Sequence, residues 1–127
     1  LEKNRIEYKH IYLKKFSDLP EMYHALDLYL ISSRIEGGPL SLLEAWASGI
    51  PVVSTRVGMV PDIARHEETV LLTDVEQTDD LARQVERLVA DPLLREKLIA
   101  NALKDVQQYD WTCIAQKYFE QLYQPLL

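Results

Sequence analysis

A strand, a glycine turn, a helix and a second strand follow one another in this chain, and that order limits the folds open to it. Residues 27–31 are a short apolar run typical of a buried strand. After two glycines, Pro39 suits the first position of a helix, where its missing N–H would be unpaired anyway. We expect the helix to run to about Ser48, Gly49 to end it, and residues 51–55 to form the next buried strand. This is a βαβ unit, from which parallel sheets are built.

Two carboxylates flank the start of the helix. Glu36 precedes it and Glu44 lies inside it. Ser41 and Leu40 stand three and four residues before Glu44, so they share its face of the helix. The first turn can hold a phosphate through backbone N–H groups and the Ser41 hydroxyl, because a helix N-terminus carries unpaired N–H groups and partial positive charge. One turn deeper, Glu44 can bind two vicinal hydroxyls, such as those of a ribose.

The turn before the helix contains two consecutive glycines, Gly37 and Gly38. Because glycine has no side chain, a ligand can approach the backbone closely there. A glycine turn or a surface glutamate taken alone is most often an ordinary structural feature. The two glutamates, the two glycines and Pro39 together favour a binding site at this corner.

Residues 36–53 resemble the Glu-x7-Glu signature of retaining GT-B glycosyltransferases, of the glycosyl transferase group 1 type related to glycogen and sucrose synthases. The resemblance extends from about Ile6 to the helix of Trp111. It implies an α/β fold, with a Rossmann-like parallel sheet of about four strands flanked by helices, as in the C-terminal half of a GT-B fold. Residues 1–127 would then be a single domain, a fragment of the C-terminal donor-binding domain.

The resemblance also implies a reaction and a role for each residue. A sugar would pass from a nucleotide-diphosphate sugar to an acceptor with retention, and no cofactor or metal is expected. Glu36 would be the catalytic residue and would orient the donor sugar together with the backbone of residues 37–39. Leu40 and Ser41 would bind the diphosphate, and Glu44 the ribose. The acceptor would be bound by an N-terminal domain of the same full-length protein, so we expect the isolated chain to be inactive.

Two features depart from the family pattern. In the loop after the second strand, Met59 stands where the family usually has a second glycine, and Asp62 where it has a glutamate. A methionine there would block a close approach to the backbone. A diphosphate near two glutamates also requires cations, because like charges repel. The basic residues that the family places on earlier strands are not found here, which leaves Arg34 and Arg56 as nearby substitutes.

Composition argues against several classes of partner. The formal net charge of −6 and the pI near 5.0 speak against nucleic acid or an anionic membrane. No apolar run reaches the ~18 residues of a membrane span, so membrane association would depend on regions outside this chain. The single cysteine, Cys113, cannot form an internal disulfide and suits a reducing compartment, the cytoplasm. We expect Cys113 to pack as a small apolar residue. The chain begins at Leu1 without a methionine, which suggests a fragment.

The flanking segments predict further elements. An alternating pattern over residues 4–12 suggests a strand, Ser17 and Asp18 a cap for a short helix, and residues 69–73 a last short strand.

Three helices are predicted after that strand, starting at Thr78, Asp91 and Asp110. Apolar residues recur along each at helical spacing, which predicts that they face the core. The three stripes are Leu81, Val85, Leu88 and Val89; Leu94, Leu98, Ile99, Ala102 and Val106; and Ile114, Tyr118 and Leu122.

Two other functions compete with the enzyme. One is a non-catalytic nucleotide-sugar-binding or regulatory module, which loss of the basic residues would produce. The other is a flavodoxin-like receiver or interaction domain. That reading needs a phosphoacceptor aspartate at the end of a strand, whereas Asp27 begins one.

Overall fold

Three parallel strands position the loops that carry the predicted site. The computed structural model describes residues 6–126, and its strands are β1 (Tyr29–Ile31), β2 (Val52–Thr55) and β3 (Leu71–Thr73), hydrogen-bonded in that order. All of β2 is buried, because strands flank both its edges and helices cover both its faces. The loops after β1 and β2 therefore lie side by side at the carboxyl edge of the sheet.

Six helices accompany the strands in the described part of the chain. They are α1 (Leu19–His24), α2 (Leu40–Ala47), α3 (Val60–Ile63), α4 (Thr78–Ala90), α5 (Pro92–Val106) and α6 (Trp111–Tyr118). Shorter helical turns cover Phe16–Asp18 before α1, Gln107–Tyr109 before α6, and Phe119–Tyr123 and Gln124–Leu126 after it. Because α2 joins β1 to the parallel strand β2, the predicted βαβ unit is confirmed.

The two faces of the sheet pack against different helices, because successive residues of a strand point to opposite sides. Val52 belongs to a cluster with Leu42 and Trp46 of α2, and all three are fully buried. Val53 belongs to a second cluster with Leu88 of α4 and with α5. The buried residues of α5 are Leu94, Leu98 and Ala102, so the core stripe predicted for that helix is confirmed.

The ends of α2 and α1 differ in detail from the predictions. Gly49, with φ +70°, follows α2 as expected. Pro39 is the N-cap residue and not the first helical residue, because its ψ of 93° is extended and the helix begins one residue later. Asp18 stands at the N-cap position of α1 as predicted, but no side chain makes a capping hydrogen bond there. The Ser17 hydroxyl donates instead to the Asp18 carboxylate at 3.1 Å, which diverts both side chains from the helix N–H groups.

The predicted strand over residues 4–12 is wrong for the part the structure describes, and the sheet there has three strands instead of about four. Residues 6–12 are irregular, and Ile6, Tyr8, Ile11 and Tyr12 are all at least half exposed. An alternating pattern forms a strand only where a neighbouring strand pairs with it and a core covers one face. Residues 4 and 5 lie outside the described part.

The stripe predicted for the last helix is also wrong as a core stripe. Tyr118 and Leu122 are more than half exposed, Trp111 is 82% exposed, and Cys113 is exposed and not packed as expected. Helical spacing identifies an apolar face but not whether this chain covers it. Across residues 6–126, no helix is both long enough and apolar enough to cross a membrane.

Candidate functional site

The loop after β1 ends in a helix start that no side chain caps. Pro39 is the N-cap, and its carbonyl accepts a hydrogen bond from the Leu42 N–H at 2.9 Å. The N–H groups of Leu40 and Ser41 have no acceptor among residues 6–126. Leu40 is 65% exposed and Ser41 is partly exposed. Two free N–H groups and the positive end of the helix dipole therefore lie at the surface of this loop.

Glu36 lies in the exposed part of this loop and is held by a serine. The Ser33 hydroxyl donates to Oε1 of Glu36 at 2.7 Å. The backbone of Ser33 is fixed in turn, because the Thr55 hydroxyl at the end of β2 donates to the Ser33 carbonyl at 2.7 Å. Thr55 is buried, so the position of Glu36 is tied to the rigid end of the central strand.

The two glycines of the loop have different surroundings. A Cβ built on Gly37 meets nothing within 4 Å, so its face is open. A Cβ on Gly38 would stand 2.8 Å from the sulfur of Met59. The space that Gly38 leaves is thus filled from within the protein. Met59 thus restricts access to Gly38, a position outside its own loop, whereas the sequence predicted the obstruction within that loop.

Glu44 extends from α2 towards α1. The hydroxyl of Tyr23 donates to its Oε2 at 3.0 Å and lies 3.4 Å from the Ser41 carbonyl oxygen. Tyr23 is 2% exposed, whereas Glu44 is only partly buried. Burial, with the neighbouring carboxylate as a second cause, raises the pKa of the Tyr23 hydroxyl above its ordinary value. Tyr23 therefore stays protonated and acts as a donor to Glu44.

Glu44 also borders two open grooves. One of about 340 Å³ is lined by Phe16 and Tyr23, and the other of about 320 Å³ by Trp111. Both volumes fall in the range of small-molecule sites. A larger cavity of about 690 Å³ lies beside Asp27, two residues before β1, and contains none of the predicted site residues. Size alone thus does not locate the site.

The two arginines near the corner already have acidic partners. Arg34 Nε lies 3.4 Å from Glu76 Oε1, and Arg56 Nε lies 3.3 Å from Asp74 Oδ1. All four side chains are exposed. An exposed ion pair is weak, so an anionic ligand could compete for either guanidinium. Within the described residues, no group of three His, Cys, Asp or Glu side chains is placed to hold a metal ion.

Both glutamates lie where the sequence predicted, Glu36 in the loop and Glu44 on α2, but the residues that hold them were not predicted. Nothing in the position of Tyr23 along the sequence points to Glu44. Ser33 was missed as well, although it stands only three residues before Glu36. Glu36 and Glu44 share no hydrogen-bonding partner within residues 6–126.

Residues 1–105 match the sequence profile of the family described as glycosyl transferases group 1. The chain belongs to this family. Among curated relatives, the N-acetyl-alpha-D-glucosaminyl L-malate synthase of Bacillus anthracis is 34% identical over 103 residues, which cover 81% of this chain and 27% of the relative. The N,N'-diacetylbacillosaminyl-diphospho-undecaprenol alpha-1,3-N-acetylgalactosaminyltransferase of Campylobacter jejuni is 36% identical over 110 residues, 86% of this chain and 29% of the relative. The chain thus spans less than a third of these relatives.

Solved structures confirm the fold class. The C-terminal domain of the group 1 family protein LpcC from Francisella tularensis superposes with a TM-score of 0.71 at 29% identity, over 78% of this chain and 51% of that one. Anabaena HepE in complex with UDP gives a TM-score of 0.77 at 26% identity, over 84% of this chain and 30% of that one. These neighbours are GT-B glycosyltransferases, and the chain corresponds to part of the C-terminal half of that fold.

Proposed function

We propose that residues 1–127 form a single domain that binds the sugar donor of a longer, retaining glycosyltransferase. The observation that carries this proposal is the uncapped start of α2, which stands between Glu36 and Glu44 at the carboxyl end of β1. A diphosphate accepts hydrogen bonds there from the N–H groups of Leu40 and Ser41.

Each predicted residue has a role in this proposal. Glu36 is the catalytic residue and orients the donor sugar, together with the backbone of Gly37, Gly38 and Pro39. Glu44 binds the hydroxyls of the ribose. The anomeric bond breaks with retention, and the helix dipole stabilises the charge of the leaving diphosphate. Neither a metal ion nor a cofactor is part of the proposed reaction.

Named relatives support a nucleotide sugar as the donor. HepE has been crystallised with UDP and with UDP-glucose, at 26% identity to this chain. The names of the two curated relatives described above refer to N-acetylated sugars. A nucleoside diphosphate linked to a hexose is therefore the class of donor that we propose, with the cytoplasm as the compartment.

The excess of acidic side chains near the proposed diphosphate supports a site that another part of the protein completes. Two carboxylates lie near the proposed diphosphate, while Arg34 and Arg56 are engaged by Glu76 and Asp74. We propose that an N-terminal domain of the full-length protein supplies the missing cations and the acceptor site. The exposed apolar side chains of α6, such as Trp111, are consistent with a covering domain. The isolated chain would then be inactive.

A non-catalytic nucleotide-sugar-binding module is the second candidate. Met59 favours it, because its side chain fills the face of Gly38 that an open donor site would leave free. Such a module would bind the donor without breaking the anomeric bond.

Incubating the full-length protein with UDP-glucose, and separately with other nucleotide sugars, separates the two functions. An enzyme releases the nucleoside diphosphate as it transfers the sugar to water, and with retention an α-linked donor first yields the α-anomer of the free sugar, which NMR detects at the anomeric proton before mutarotation. A binding module shows calorimetric binding of the donor but no release. Absence of both would contradict the proposal.

Matched variants connect the result to the site. We expect Glu36→Gln to abolish release and Glu44→Gln to weaken binding of every nucleoside diphosphate. Glu86→Gln is the control, because it replaces a carboxylate by an amide at an exposed position of α4 outside the site. Equal behaviour of Glu36→Gln and Glu86→Gln would remove Glu36 from the mechanism.

A further inference from the structure

Tyr23 makes a polar contact that its packing role does not require. It belongs to the buried cluster that includes Trp46 and Val52, and its ring meets Tyr29 edge-on, with centroids 5.6 Å apart. The hydroxyl at the far end of this fixed ring reaches Oε2 of Glu44 at 3.0 Å. A buried ring therefore determines where one oxygen of a partly exposed carboxylate lies.

The hydroxyl proton goes to the carboxylate. A phenol has one proton to donate, and the Ser41 carbonyl oxygen, at 3.4 Å, is at the limit of hydrogen bonding. Glu44 at 3.0 Å is the closer acceptor and carries the charge, which makes this the stronger bond. Because the pKa of Tyr23 is raised, the donor does not ionise near neutral pH.

The same bond leaves the other oxygen of Glu44 available. Within residues 6–126, Oε1 of Glu44 has no hydrogen-bonding partner. A free glutamate side chain samples several rotamers and loses that freedom when it binds a ligand. Fixing Oε2 beforehand reduces this loss and leaves Oε1 free to accept a hydrogen bond from a ligand.

We propose that Tyr23 is a positioning residue, whose hydroxyl holds Glu44 in the orientation that binds the ribose of the nucleotide donor. The proposal rests on the proposed function, since it assigns a support to the residue that grips the sugar ring of the nucleoside. A purely structural role would instead link α1 to α2 without affecting which nucleoside binds.

The test is calorimetric titration of the full-length protein and its Tyr23→Phe variant. The probes are UDP, ADP and GDP, each beside its 2′,3′-dideoxy counterpart. Loss of one hydrogen bond to a charged group corresponds to about a tenfold loss of affinity. The ribose advantage is the ratio of the affinity for a ribose nucleotide to the affinity for its dideoxy counterpart. We expect Tyr23→Phe to reduce this ratio by about that factor and to leave the affinity for the dideoxy nucleotide unchanged. The double variant Tyr23→Phe/Glu44→Gln should bind no more weakly than Glu44→Gln alone.

The outcomes separate this inference from the function on which it rests. If Glu44→Gln removes the ribose advantage but Tyr23→Phe leaves it intact, Tyr23 is not a positioning residue and the proposed function stands. If Glu44→Gln leaves the advantage intact, or no nucleotide binds the wild type, the proposed function fails first. Equal weakening of both nucleotides by Tyr23→Phe indicates a structural role and overturns the inference.

Two further variants serve as a control and as an alternative to Tyr23→Phe. Tyr12→Phe removes the same atom from a tyrosine that is 83% exposed in the irregular segment before α1, and it should change neither affinity. If Tyr23→Phe is too unstable to purify, Glu44→Asp tests the same geometry, because it keeps the charge but withdraws the carboxylate from the Tyr23 hydroxyl. It should also lose the ribose advantage, and an unchanged ratio would overturn the inference.

Discussion

Gly58, in the loop after β2, lies so close to Gly37 that a Cβ on Gly58 would stand 2.6 Å from the Gly37 carbonyl oxygen. The carbonyl oxygen of Glu36 would be 2.8 Å away. The loop after the central strand is therefore in direct backbone contact with the loop that carries the proposed catalytic glutamate. Gly58 also has φ +49°, a conformation that side chains disfavour.

Gly58→Ala should both destabilise the protein and displace the Glu36 loop. The strained backbone and the contact with two carbonyl groups cost about 2 kcal/mol together, since neither neighbour is a flexible side chain. Urea unfolding measures the loss of free energy, and titration with UDP measures the effect on the site. Gly37→Ala is the control for stability, because the space beside Gly37 is open. Equal stability of the two alanine variants would refute the contact.

The pair Gly38 and Met59 can show why Gly38 is a glycine. Gly38→Ala alone should destabilise the protein only slightly, because its Cβ would meet the Met59 sulfur at 2.8 Å and that flexible side chain can move aside. Adding Met59→Ala removes the contact, so Gly38→Ala should cost still less stability in a Met59→Ala background than in the wild type. If a donor also needs the backbone of Gly38, the double variant should remain weak in donor binding. Full donor binding by the double variant would show that Gly38 serves only to accommodate Met59.

Much of the fold could be predicted from the sequence because its signals are local. The βαβ unit rests on two apolar runs, a proline and a glycine, and Gly49 indeed adopts the positive φ that ends α2. The strand predicted over residues 4–12 failed because pairing is not local: alternation shows that a segment could form a strand, but not that a neighbour pairs with it. Trp111 shows the same limit, since helical spacing does not tell which part of a protein covers an apolar face.

The site could be predicted only as far as single residues and their order along the chain. Glu36 and Glu44 were identified from their spacing around a helix start. Tyr23 contacts Glu44 across 21 positions of sequence, and no pattern in one chain connects them. The contact of Gly58 with Gly37 depends on the loops after β1 and β2 lying side by side, which becomes evident only once the strands are paired.

Ser33→Ala should slow sugar transfer without preventing donor binding. The Ser33 hydroxyl donates to Glu36 at 2.7 Å, and we expect its loss to let the carboxylate move. One such hydrogen bond corresponds to a decrease in kcat of about tenfold, with little change in KM if Glu36 acts mainly in the transition state. Steady-state kinetics of the full-length enzyme measure both constants. Ser32→Ala is the control, because Ser32 is exposed and next in sequence. An unchanged kcat in Ser33→Ala would mean that Glu36 needs no such support.

The ion pair of Glu67 with Arg87 should make stability depend on acidity. The Arg87 guanidinium bonds to the Glu67 carboxylate and lowers the pKa of that carboxyl below its ordinary value, and nearby His66 adds to the effect. A lowered folded-state pKa gives stability that is complete above the pKa of the unfolded glutamate and is lost as the pH falls through the folded value. The stabilising effect should therefore be constant near neutral pH and decline below about pH 5.

Urea unfolding of wild type and Arg87→Gln at a series of pH values measures this effect as the difference in unfolding free energy between the two proteins. Lys104→Gln is the control, because Lys104 is exposed on α5 and its removal should give a difference that does not change over this range. A difference between wild type and Arg87→Gln that persists at pH values where all carboxyls are protonated would show that Arg87 stabilises the protein by packing and not by its charge.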